Sequence, residues 1–221
     1  MKKTLSCFVV FALLNNSNLY ANSKYQISGK VELEFDKGKP STSIPTAVVY
    51  VTGFEEAASS KIIEISQKNE AFDPSLSFLV QGQSIKFINK DKKSHNIFSN
   101  SKAREFDLGT KEPNEEEIVK FPDIGIVDVF CNIHPNMQSK ILILPNKAFA
   151  KTDAQGHYTI KDIPEGDFKV YAWHPWGRPI SKNVSFKNAK NPIINWQLKI
   201  SSIPPSHLNK YNKPYREKKS Y

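Results

Sequence analysis

Four side chains carry donor atoms at a spacing that suits a metal ion: His95, Cys131, His134 and Met137. Three sit in one short run, Phe130-Cys131-Asn132-Ile133-His134-Pro135-Asn136-Met137, which is Cys-x2-His-x2-Met. The fourth comes from Ser94-His95-Asn96, upstream. Two imidazoles, one thiolate and a weak axial thioether make up the donor set of a mononuclear type 1 (blue) copper centre. The soft thiolate favours Cu(I) and bonds covalently to Cu(II), imidazole suits both oxidation states, and the thioether tunes the potential. A compromise geometry lets an electron come and go with little ligand movement.

Competing chemistry fits less well. Structural zinc sites close with four Cys or His ligands rather than a methionine. A lone cysteine after an apolar strand is often a small buried hydrophobe, and Cys131 with His134 suggests a thiol nucleophile. Three residues apart at a strand end, that pair serves a metal better than acyl transfer. The sequence holds no Gly-x-Ser-x-Gly elbow, phosphate loop or His-Glu-x-x-His helix. A mononuclear site with its axial position filled also offers a substrate no open coordination, so no enzyme is expected.

The N-terminus sharpens the case. Met1-Lys2-Lys3 is followed by an apolar run from Leu5 to Leu14 and a polar stretch ending at Leu19-Tyr20-Ala21. This reads as a cleavable signal peptide, residues 1–21, cut after Ala21, and implies a periplasmic or secreted protein. Its apolar run is shorter than the roughly 20 residues a membrane span requires. Cys7 leaves with it, so the mature chain has one thiol in an oxidising compartment and no internal disulfide. Apart from Met1, the only methionine is Met137. Losing Lys2 and Lys3 lowers the formal charge from +9 to +7. The lysines are spread along the chain without a nucleic-acid motif. Residues 201–221 read as a basic, solvated, disordered tail, with a weak tether to a membrane or partner as the alternative.

Strands must position these donors. Period-two alternation runs through Ile27, Gly29, Val31, Leu33 and Phe35. Similar runs occur at 47–52, 75–80, 84–89, 125–131, 140–144, 158–160, 168–173 and 193–200. Turn formers such as Asp36-Lys37-Gly38, Gln81-Gly82 and Pro164-Glu165-Gly166 separate them. The expected class is all-β, built from antiparallel sandwiches. Cys131, His134 and Met137 fall in the hairpin loop between two strands, and His95 follows the end of another.

On Phe72-x-Pro74, Gly82, Phe87-x-Asn89-x-Asp91, His95-Asn96-x-Phe98, Gly125 and the Cys131 motif, residues 68–145 resemble the cupredoxins. Amicyanin and the secreted "methylamine utilisation" proteins are the nearest in pattern. The resemblance implies a Greek-key β-sandwich holding one copper ion, with His95 as the upstream ligand and His134 as the exposed one. It also implies that the Asn96 amide ties the ligand loops together. The flanks, 24–56 and 148–200, resemble the transthyretin-like (Ig-like) sandwich of carboxypeptidase regulatory domains. Their matching residues are Ile27–Val31, Ala47–Val51, Asp153-x-x-Gly156-x-Tyr158 and Pro164-x-Gly166-x-Phe168. The copper domain then reads as an insert in, or a neighbour of, that discontinuous sandwich. The loop from Ser99 to Lys120 matches no motif.

The remaining candidates have ordinary readings. His157 belongs to a surface turn, and His207 to the solvated tail. Trp173 and Trp176 are packing anchors, with His174 as a candidate for the contact between sandwiches. Glu115–Glu117 is a solvated face or a docking site for a basic partner. The functional expectation is an electron carrier exchanging with a transient redox partner, such as a cytochrome, dehydrogenase or oxidase. No nucleic acid is expected as a partner. The alternatives are a copper carrier or sensor with the same ligands, or an adhesion or carbohydrate-binding module based on the flanking sandwich.

Overall fold

The computed structural model describes residues 25–40, 46–187, 191–203 and 207–215. The proposed signal peptide, its cleavage point after Ala21 and the last six residues lie outside these. Every regular element among the described residues is a strand, and no helix there is long and apolar enough to cross a membrane. The protein is all-β.

The chain opens with β1 (Tyr25–Phe35) and β2 (Val48–Thr52). Nine strands follow: β3 (Ile63–Lys68), β4 (Ala71–Asp73), β5 (Leu76–Val80), β6 (Ser84–Asn89), β7 (His95–Ser101), β8 (Arg104–Lys111), β9 (Glu116–Lys120), β10 (Gly125–Phe130) and β11 (Gln138–Leu144). The last five are β12 (Phe149–Lys151), β13 (His157–Ile163), β14 (Gly166–Trp173), β15 (Ile180–Phe186) and β16 (Trp196–Ile200).

These strands form four sheets. Strands β3 to β11 form two of them, ordered β5-β11-β10-β7-β8 and β4-β3-β6-β9. Between these lies a core that includes Ile65, Phe87, Ile97, Phe121, Val129 and Ile141, and Cys131 and Met137 belong to it. The other two sheets, β13-β1-β16 and β12-β2-β14-β15, combine strands from both ends of the chain. They enclose Ile27, Val49, Val51, Val170, Phe186 and Trp196. Alternation explains the division, since each strand turns one parity of β-branched and aromatic residues inward. Gly29 on β1 is needed for close approach, because a Cβ there would lie 1.9 Å from the Ile194 carbonyl oxygen. The two cores meet at a third cluster, where Trp173 and Val48 pack with Leu142 and Leu144. Beside it the buried Asn146 amide donates to the carbonyls of Val51 (3.1 Å) and Phe54 (2.9 Å).

The structure departs from the sequence reading in three places. The stretch from Ser99 to Lys120, expected to be a loop, holds the end of β7 and all of β8 and β9. Residues 63–68 form β3, which pairs with β6, so the sheets that carry the metal-ligand candidates begin at Ile63 rather than at residue 68. Residues 207–215, expected to be a solvated tail, instead lie against the Cys131 loop through the contacts described below.

Candidate metal centre

The antiparallel pairing of β7 with β10, through Phe98 and Phe130, places the start of β7 beside the segment that follows Phe130. His95 is the first residue of β7, and Cys131 directly follows β10. The β7–β8 register shifts between Asn96 and Phe98, a bulge of the kind that re-aims side chains next to a site. The loop joining β10 to β11 closes on itself: Cys131 N–H donates to Met137 O (3.2 Å) and Met137 N–H to His134 O (3.1 Å).

One ligand atom each from His95, Cys131 and His134 lies within 4.8 Å of the others. His95 Nδ1 is 3.1 Å from His134 Nδ1, and that nitrogen is 3.8 Å from Cys131 Sγ. Met137 is fully buried in the core next to the loop, as are His95 and Cys131. His134 keeps 15% of its side chain exposed.

The surroundings prepare His95 for a cation. Its Nε2 lies 3.0 Å from Asp91 Oδ2. The backbone N–H of Glu70 first, then the His95 ring, hold the Asp91 carboxyl down at about 2. Asp91 is therefore ionised, Nε2 carries the ring proton, and Nδ1 turns a lone pair toward His134. Two imidazole nitrogens 3.1 Å apart share one proton or one cation. A first-row metal, whose bonds to imidazole nitrogen are about 2 Å long, fits between them. With a thiol sulfur as the third donor, the set matches soft, redox-active copper better than an all-oxygen ion. Ile133 N–H also points to Cys131 Sγ at 3.4 Å, a contact that steadies a thiolate.

Buried amides hold the framework. Asn96 Oδ1 accepts from Asn132 N–H (3.3 Å), while its Nδ2 donates to Asp107 Oδ1 (3.0 Å) and Gly109 O (2.9 Å). It thus joins the loops of His95 and Cys131, with β8 as the third anchor. Asn89 donates to the carbonyls of Lys93 and Lys111, both at 2.8 Å, and shapes the turn that delivers Asp91 and His95. The sequence reading quoted Asp91 among the matching residues but gave it no role, although its position four residues before His95 in a turn was a usable signal. It also missed Asn89 as a turn organiser and the 207–215 segment.

The other candidates stand apart from this cluster. His157 is exposed in its turn, 3.3 Å from Asp153. His174 is buried, accepts from Trp176 N–H at 3.1 Å and meets the Trp176 ring edge-on. Trp173 lies in the junction cluster and Trp176 packs on the outer core. Glu116 faces Lys86 at 3.3 Å and Glu117 pairs with Lys111. His207 stacks on Phe130 with ring centroids 3.9 Å apart, so it is not a solvated tail residue.

No family model matches the sequence, and no curated protein matches it. Solved structures similar to part of the chain include a cupredoxin, a copper-containing nitrite reductase and amicyanin variants. A purple cupredoxin from Nitrosopumilus maritimus is 16% identical over 37% of this chain and 98% of its own, with a TM-score of 0.34. The copper-containing nitrite reductase NirK from Thermus scotoductus SA-01 is 17% identical, with a TM-score of 0.38 over 44% of this chain and 26% of its own. A Cu(I) form of an amicyanin variant is 14% identical, covering 43% of this chain and 97% of its own, with a TM-score of 0.35.

Proposed function

We propose that this protein binds one copper ion through His95, Cys131, His134 and Met137 and carries electrons outside the cytoplasm. The observation that supports it best is the convergence of two imidazole Nδ1 atoms and one buried thiol within 4.8 Å, His95 from the start of β7 and the other two from a loop closed by its own backbone hydrogen bonds. Bound copper would supply a one-electron couple. The rest is the work of the chain. Asp91 keeps the His95 lone pair aimed inward, and the Asn96 amide fixes the spacing of the two loops. Burial of Cys131 and Met137 excludes water, so the donor set need not reorganise when an electron arrives. The partly open edge of His134 is the exit, ringed by exposed Ile133 and Pro135. A small apolar patch of this kind suits a transient redox partner, for which a small interface suffices.

In this reading the site lies in a cupredoxin-type sandwich of residues 63–144. That sandwich is carried as an insert by an outer one of the carboxypeptidase regulatory kind, and the chain is no enzyme. Loading the mature protein with Cu(II) should produce an intense thiolate-to-copper absorption in the visible and a narrow copper hyperfine splitting in EPR. Cu(II) bound without that absorption, and bound equally well by Cys131→Ser, would end the proposal.

A further inference from the structure

The segment 207–215 reaches the ligand loop from outside the sheets. His207 lies flat on Phe130, the residue before Cys131, with an interplanar angle of 17°. The Tyr215 hydroxyl donates to the carbonyl oxygen of Cys131 itself at 2.7 Å. Leu208 O, 3.1 Å from His207 Nδ1, can only accept, so Nδ1 carries a proton. The same N–H faces the Tyr215 oxygen at 3.3 Å. A donor chain therefore runs from His207 through Tyr215 to the ligand cysteine.

Lys210 closes a ring of hydrogen bonds. Its backbone N–H donates to Asn132 Oδ1 (3.0 Å), and its Nζ to Asp107 Oδ2 (2.6 Å). Asp107 accepts from Asn96, and Asn96 accepts from Asn132. The tail, β8, the residue after His95 and the residue after Cys131 thus form one closed circuit. We infer that residues 207–215 are a strap that holds the Cys131–Met137 loop in its ligating shape, with Tyr215 and His207 as positioning residues for the metal site. The ligating role of that loop rests on the copper reading above.

Two full-length variants test this, Tyr215→Phe, which keeps the ring and removes the donor, and Lys210→Ala. Hydrogen exchange of the metal-free protein reads the loop directly. Exchange of the 131–137 amides should speed up about fivefold in each variant, the effect of losing about 1 kcal/mol of local restraint. In competition with a Cu(I) chelator, Tyr215→Phe should lose about tenfold in affinity, as outer-shell partners of metal ligands commonly do. Its reduction potential should fall, because a hydroxyl dipole that favours the more electron-rich Cu(I) site is gone. Unchanged exchange in both variants, together with unchanged affinity and potential, would overturn the strap. Faster exchange in a protein that takes up no copper would support the strap and sink the copper reading instead.

Discussion

Replacing Asn96 with alanine probes the tie between the two ligand loops. The amide is buried and makes three hydrogen bonds, at 3.3, 3.0 and 2.9 Å, to Asn132, Asp107 and Gly109. Each intramolecular hydrogen bond contributes about 1 kcal/mol net, so the expected cost is about 3 kcal/mol. For a chain of this size that lowers the melting temperature by about 6–12 °C. Asp107 keeps Lys210 as a partner. The uncompensated losses therefore fall on Asn132 N–H and Gly109 O, next to Cys131 and on β8. Calorimetry of the metal-free protein measures the shift without reference to any metal. Chelator competition on the loaded protein should then show about tenfold weaker copper binding, since a displaced loop no longer presents its donors together. A variant that melts within about 2 °C of the unaltered protein, less than 1 kcal/mol at this size, would refute the reasoning.

Other perturbations have equally definite outcomes. Trp173→Ala empties the centre of the junction cluster and should cost about 3–5 kcal/mol, read as a fall in the urea midpoint; a loss below about 1 kcal/mol would mean the cluster is not a packed contact. Gly29→Ala drives a Cβ into the Ile194 carbonyl, 1.9 Å away, and should destabilise by about 2–3 kcal/mol in the same assay. The Asp107 carboxyl is lowered: burial opposes the shift, but the hydrogen bond from Lys210 and that from Asn96 outweigh it. Its pairing with Lys210 is therefore complete above the ordinary carboxylate range and is lost as pH falls through the lowered value. Limited proteolysis with pepsin should accordingly cut 207–215 faster as the pH is taken below that range, and Asp107→Asn should cut quickly throughout it.

Much of this arrangement is visible in the chain because the relevant chemistry uses rare residues. Cys131 and Met137 are the only sulfur side chains after the proposed signal peptide, so their rarity and their spacing to His134, together with the upstream His95-Asn96, singled out the four candidates. Strands such as β6, with its strict buried and half-buried alternation, announce themselves by period. β8 does not. Its residues are exposed or half-buried on both faces, so the alternation carries no apolar contrast. β3 hides for the opposite reason, since its polar Ser66 and Gln67 are buried beside Ile65. The strap was illegible because its Lys, Asn, Pro and Tyr content suits a solvated end. What places it is long-range: a ring stack on Phe130 and hydrogen bonds to residues about 80 to 100 positions earlier. Period and composition are local quantities and carry no trace of such contacts.

The pairing of β1 has a consequence for how the chain is made. Its neighbours are β13, which starts at His157, and β16, which ends at Ile200. Strands β3 to β11 need only one another, so their two sheets can close as soon as residue 144 is available. β1, the first strand among the described residues, must wait without a strand partner until β13 has been made, and without its second until residue 200. Contacts of such sequence separation form slowly, and unpaired edges invite association with other chains. During synthesis, β1 is therefore the segment with the most to gain from a chaperone. A block in folding at this stage would leave an early-closed half, with its candidate metal centre, joined to an open, aggregation-prone frame.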